Sequence, residues 1–118
     1  MNARQAVGRH GETVVARALA DQGWEVLDRN WRCARGELDI VARDGQTVVA
    51  VEVKTRRTDA CGTGLEAVTP DKVARLRRLL ARWLEDQDIR FCHARVDVVA
   101  VTLPPSGAAT LEHLRGVE

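Results

Sequence analysis

Asp39, Glu52 and Lys54 are the residues whose types and spacing could do chemistry. Two carboxylates on a small patch offer the hard oxygen ligands that Mg²⁺ or Mn²⁺ takes, usually one or two acids completed by water and a substrate phosphate. An ammonium group beside them can offset negative charge that develops on a phosphate. The chemistry to test is therefore cation-assisted work on a phosphate ester. A solvated polar sheet face, with Lys54 offsetting one acid, is the plainer alternative.

The stretch that must position them is Gly36 to Arg56, which reads as two apolar-rich runs around Asp44-Gly45. Asp-Gly between strand-like runs is a strong hairpin signal, because a type I′ turn needs positive φ at both central residues. With that loop, Arg43 faces Gln46, Val41 faces Val48, Asp39 faces Ala50 and Glu37 faces Glu52. Alternation along each strand puts Glu37, Asp39 and Val41 on one face with Val48, Ala50, Glu52 and Lys54. Leu38, Ile40, Val49, Val51 and Val53 form an apolar opposite face. Asp39 and Glu52 become diagonal neighbours, about 7–8 Å apart. The valines and Ala50 beside the acids do not suit a solvated face.

Asn2 to Gln22 reads as a helix capped by Asn2 and ended by Gly23. Val7, Val14, Val15, Ala18 and Leu19 make its apolar stripe, and Gly8 and Gly11 allow close approach of another element. Glu12 lies at the edge of that stripe and needs a partner there; a salt bridge to an arginine is one solution. Trp24 to Leu27 reads as a first strand, Asp28-Arg29-Asn30 begins the connection, Trp31-Arg32 is placed to extend the pairing, and Cys33-Ala34-Arg35 leads into the hairpin. After the hairpin, Thr55 to Thr69 reads as a polar loop carrying Arg56, Arg57, Gly62 and Gly64. Thr69-Pro70 starts a second helix running to about residues 85–87. Its core stripe is Val73, Leu76, Leu80, Trp83 and Leu84, opposite a ridge of Arg75, Arg78 and Arg82. Lys72 sits in the first turn, against the helix dipole, where gripping a phosphate would give it a purpose. Ala94 to Leu103 is a buried strand, and Leu111 to Leu114 a short edge strand. The order helix, three strands, helix, strand implies an α/β fold with a mixed central sheet flanked by helices.

At 118 residues, with 45% hydrophobic and 30% charged residues, the chain suits one soluble globular domain. A net charge of +1 does not by itself call for a polyanionic partner, and 3% aromatic residues give no base-stacking platform. Cys33, Cys61 and Cys92 are too widely spaced for a zinc site and suit a reducing, cytoplasmic setting. There is no signal peptide and no apolar run long enough to span a membrane.

An acid on one strand followed by Glu52-Val53-Lys54 on the next resembles the PD-(D/E)xK signature of the restriction-endonuclease-like superfamily. More narrowly, Gly8-Arg9-His10-Gly11-Glu12, Gly23-Trp24, Arg29-Asn30-Trp31-Arg32, Gly36-Glu37-Leu38-Asp39-Ile40, Val51 to Arg56, Lys72 and Val96-Asp97-Val98-Val99 resemble the YraN-like family of small bacterial predicted endonucleases. That family is similar to archaeal Holliday junction resolvases, which place a glutamate on the first helix ahead of the same hairpin. The resemblance implies one restriction-endonuclease-like nuclease domain over residues 1–118. It implies a Mg²⁺ or Mn²⁺ site of Asp39, Glu52, the Val53 carbonyl and, through water, Glu12. It implies cleavage of nucleic acid, DNA favoured and branched DNA among the candidates, with Lys54 acting on the nucleophile or the developing charge. Arg35, Arg56, Arg57 and Lys72 are the expected phosphate contacts. A homodimer is left open, and a nucleic-acid-binding module that does not cut is the alternative function.

Overall fold

The computed structural model describes residues 2–58 and 68–118. The elements are α1 (Ala3–Asp21), β1 (Glu25–Cys33), β2 (Gly36–Asp44), β3 (Thr47–Arg57), α2 (Pro70–Glu85), β4 (His93–Leu103) and β5 (Thr110–Leu114). The strands form one mixed sheet in the order β1-β2-β3-β4-β5, in which only β3 and β4 run parallel. α1 covers one face, with Val15 and Leu19 packed on Ile40, Ala42, Val49, Val51 and Val53. α2 covers the other, with Leu76, Leu79, Leu80 and Trp83 packed on Val41, Val48, Ala50 and Val96. The expected architecture is present, and burial on both faces explains why the acid-bearing side of the hairpin also carries valines.

Local chemistry sets the helix ends. Asn2 and Gln5 exchange side-chain and backbone hydrogen bonds at 2.8 and 3.0 Å, a capping box that satisfies two otherwise orphan N–H groups. Gly23 follows the α1 C-cap with φ +90°. Thr69 caps α2, accepting from the Lys72 N–H at 3.2 Å, with Pro70 next. The buried stripe of α1 is Gly11, Val15 and Leu19, whereas Val7 and Val14 are half-buried beside His10 along a surface cavity. Gly11 does serve close approach: a Cβ there would fall 1.9 Å from Thr55 Oγ1. Gly8 does not, since nothing lies within 4 Å of its would-be Cβ.

Three local expectations are corrected. The β2–β3 turn is Gly45-Gln46, closed by the pair Asp44 and Thr47, with φ +60° at Gly45 and no positive φ at Gln46. That is the glycine-first requirement of a type II′ turn. The register thus moves by two residues, pairing Val41 with Ala50 and Arg43 with Val48. Asp28-Arg29-Asn30 is not a connection: β1 runs through it, past a bulge between Val26 and Asp28, to the pairing of Trp31 and Arg32 and on to Cys33. Its polar residues find partners while extended: Asp28 accepts from Trp83 Nε1 at 2.9 Å, and Arg29 donates to Thr13 Oγ1 at 3.1 Å. Finally, Thr55 to Arg57 is not loop but the end of β3, paired with Val101 to Leu103 of β4. The expected glycines Gly62 and Gly64, and Cys61, lie outside the described residues.

On β4, beside Val51 of β3, Asp97 is fully buried. It accepts from Arg95 at 2.9 and 3.3 Å, from the Gly116 N–H at 2.9 Å, and lies 2.8 Å from His113 Nε2. Arg95 and Arg115 flank the Trp24 ring at 5.6 and 5.4 Å. This cluster ties β5 and the C-terminal segment to the sheet. Breaking a buried charged pair on one side costs about 3–5 kcal/mol, so Asp97→Ala is expected to lose stability of that order in urea titration, with a parallel loss of protection at β5 amides.

Candidate acid–lysine site

Pairing between β2 and β3 ends at Ile40 and Val51, and the site begins one residue further on. There Asp39 Oδ2 accepts from the Val53 N–H at 2.9 Å. The side chain of Asp39 thus takes a backbone donor of the neighbouring strand. The alternation of β2 also breaks at this point: Ile40 packs under α1, but Leu38 joins the α2 cluster instead of the apolar face expected for it. Because the register moved by two residues rather than one, Asp39 and Glu52 keep the same side of the hairpin. They are brought together more closely than a diagonal pair, in side-chain hydrogen-bond contact. Glu37 is not opposite Glu52; it pairs with Arg32 of β1 at 2.8 Å, both side chains well exposed.

Both helices complete the cluster. α1 presents Glu12, held low in solvent by the Gly11–Thr55 approach. Burial and the Asp39 charge hold the Glu12 carboxyl above its usual range, while the Asn30 amide and Arg29 act against them. Glu12 Oε1 is buried without a hydrogen-bond partner, and the ion pair with an arginine that would satisfy it is absent among the described residues. From the other side, the first turn of α2 turns Lys72 inward against Lys54 and Glu52. Burial first, then contact with Lys54, lowers the Lys72 pKa, and the Glu52 charge acts in the opposite sense. Burial, and then the hydrogen bond and charge of Asp39, push Glu52 up to about 8, against the pull of Lys72 and Lys54. At neutral pH Glu52 therefore keeps its proton, the usual result of a carboxyl buried beside a second carboxylate. Among the described residues no three Asp, Glu, His or Cys side chains form a ready cation cage. The donor set is a carboxylate pair, with Glu12 and its orphan oxygen nearby.

Of the expected site residues, Asp39, Glu52, Lys54 and Glu12 act on one another, and Val53 enters through its N–H. Lys72 joins the cluster, half-buried in the first turn of α2. Arg56 is half-buried on β3 beyond Lys54, Arg57 is exposed and lines cavities beside α1, and Arg35 is exposed at the β1–β2 turn beside α2. Asn30 was not singled out. It has φ +53°, an uncommon conformation that Asn tolerates better than most residues, at the β1 position beside Asp39.

These features define an α/β protein whose mixed sheet gathers a half-buried acid–lysine cluster from α1, β2, β3 and α2. Within that class the chain belongs to the Uncharacterised protein family UPF0102, whose model matches residues 11–101, as the resemblance to YraN-like proteins implies. It is 57% identical over 117 residues to the UPF0102 protein of Beutenbergia cavernae, covering 99% of each chain. It is 54% identical over 118 residues to that of Kineococcus radiotolerans, covering 99% of this chain and 97% of the other. Among solved structures, Hjc of Archaeoglobus fulgidus, a Holliday junction resolvase, aligns over 89% of this chain and 75% of its own, with 21% identity and a TM-score of 0.49. The site described above stands on this chain's own residues, not on that likeness.

The sign of the Glu52 shift fixes a pH dependence. A carboxyl raised from its ordinary 4.5 to about 8 binds its proton more tightly in the folded state. Its contribution to stability is full below pH 4.5 and is lost as pH rises through about 8. In chelator, the Tm of the wild type should fall from pH 5 to 8, and Glu52→Gln should flatten that fall. Differential scanning calorimetry across the interval tests it.

Proposed function

We propose that this protein is a metal-dependent nuclease that hydrolyses phosphodiester bonds in nucleic acid, with DNA, including branched DNA, favoured. The observation that carries the reading is Glu52, set beside Asp39 and against Lys54 and Lys72, which keeps a proton it would surrender to a cation. Two carboxylate side chains fit Mg²⁺ or Mn²⁺, ions that rely on few protein ligands and keep water. The unpartnered Glu12 oxygen supplies the remaining acceptor through water. Asp39, Glu52 and the Val53 carbonyl would hold the ion. When present, such an ion supplies positive charge to the scissile phosphate and acidifies water.

The chain's own groups do the rest. Glu52 would hold the ion as its carboxylate, having given up its proton. Lys54 orients the attacking water or offsets charge that builds on the phosphorane. Lys72, packed against it, grips a phosphate oxygen. Arg56 and Arg57 extend the phosphate contacts along the end of β3, positioning the strand without reading its bases. The rival reading is a nucleic-acid-binding module on the same fold that does not cut. It is favoured by the lack of a third acid packed with the pair among the described residues.

Cleavage assays with Mg²⁺ or Mn²⁺ on duplex, flap, single-stranded and four-way-junction DNA separate the two. The wild type is expected to cut at least one, and Asp39→Ala none. Removing one preorganised electrostatic group typically lowers turnover by about 10²–10³, so Lys54→Ala should lose that much in single-turnover rate and keep Mn²⁺ binding. Binding without cleavage on every substrate would select the module.

Calorimetric Mn²⁺ affinity should rise with pH to about 8, because binding must release the Glu52 proton. It should vanish in Asp39→Ala and weaken in Glu12→Gln. Affinity independent of pH, or unchanged in Asp39→Ala, would remove the metal site.

A further inference from the structure

The β1–β2 turn and α2 enclose a surface groove of about 620 Å³. Four guanidinium groups border it: Arg35 from the turn, and Arg75, Arg78 and Arg82 from the helix. All four residues are exposed. The two elements are in firm contact, since a Cβ on Gly36 would stand 3.2 Å from Leu79 Cδ1. The arginines of α2 therefore border a concave surface between two packed elements, which distinguishes them from an ordinary solubility ridge. Glu85 is the acid on this groove, and Arg82 already holds it at 3.1 Å. Arg82 also reaches Asp86 at 3.7 Å, so that end of the groove is neutralised. Among the described residues Arg35, Arg75 and Arg78 have no ion-pair partner. Uncompensated cations crowd one end, and that end lies toward Lys72 in the first turn of α2.

From these positions we infer that Arg35, Arg75 and Arg78 form a phosphate track that carries a nucleic-acid strand between the acid–lysine site and the β1–β2 turn. The inference deepens, and rests on, the nucleic-acid reading above. At 1.5 Å per helical residue, Lys72 to Arg78 spans about 9 Å, the axial reach of about three phosphates of one strand at 3.4 Å each. The groove offers no aromatic side chain and holds Ala34, Leu79 and Ala81 between its cations. It thus suits a sugar–phosphate backbone rather than stacked bases, and recognition there is indifferent to sequence.

The test is fluorescence anisotropy of a labelled DNA duplex against salt, in EDTA so that no cleavage intervenes. Three proteins of matched thermal stability are compared: wild type, Arg75→Gln/Arg78→Gln, and the remote control Arg17→Gln/Arg90→Gln. Each lost phosphate contact lowers the slope of log K against log salt by about 0.9. The groove pair is therefore expected to flatten it by about 1.8, with the control near wild type. A groove variant with the wild-type slope would overturn the track while leaving the nucleic-acid reading in place. A wild type that binds no duplex or junction DNA would overturn both. Retention of the wild type on phosphatidylserine vesicles, with no DNA binding, would reassign the groove to a membrane surface and overturn the inference as well.

Discussion

The hydrogen bond from the Val53 N–H to the Asp39 carboxylate determines how the acids of this protein meet. A hairpin that continued its ladder would hold both strands at regular spacing with every backbone donor used in pairing. Here a side chain takes one of those donors, pairing stops after Ile40 and Val51, and β2 turns its next residues differently. Asp39 is anchored, Leu38 passes under α2, and Glu37 goes outward to Arg32. Glu52 is left with an anchored carboxylate beside it and a largely buried environment. Its retained proton follows from that placement. Lys72 and Lys54, from different elements, pull against that proton.

Much of this was legible in the sequence because the relevant periods are robust. Thr69-Pro70 and the apolar spacing placed α2, and Asn2 and Gly23 bracketed α1. The hairpin register was misjudged by two residues, as an Asp-Gly pair can sit at different positions of a two-residue turn. A period of two forgives an error of two, so Asp39, Glu52 and Lys54 still emerged on one side. The alternation could not reveal that Leu38 changes sides, since a side chain capturing a backbone donor leaves no periodic trace. Leu79 was also missing from the expected core stripe, because its neighbour Leu80 fitted the spacing as well.

What the sequence hid was mostly long-range. Lys72 looked like an outward cation, and only the docking of α2 across β3 turns it inward. Asp28-Arg29-Asn30 looked like a turn because all three residue types favour turns. Their partners Trp83, Thr13 and Glu12 lie on other elements and let the strand continue. The burial of Asp97 depends on His113 and Gly116, which approach it only after β5 folds back.

The parallel pairing of β3 with β4 bears on the order in which the molecule can assemble. β1, β2 and β3 are joined by tight turns, so their contacts close short loops at small entropic cost. Thr47 pairs with His93 and Arg57 with Leu103, partners separated by the whole crossover through α2. Such non-local contacts close last and set the pace of folding. Local closure therefore favours the acids of β2 and β3 coming together before Lys72 is delivered with α2. The meander of β1 to β3 must tolerate its own negative charge until the crossover docks. A chain halted at that stage exposes a hydrophobic sheet face with crowded carboxylates at one end. Protonation or a divalent cation would ease the passage through it, so the chemistry of the site is coupled to the kinetics of its own construction.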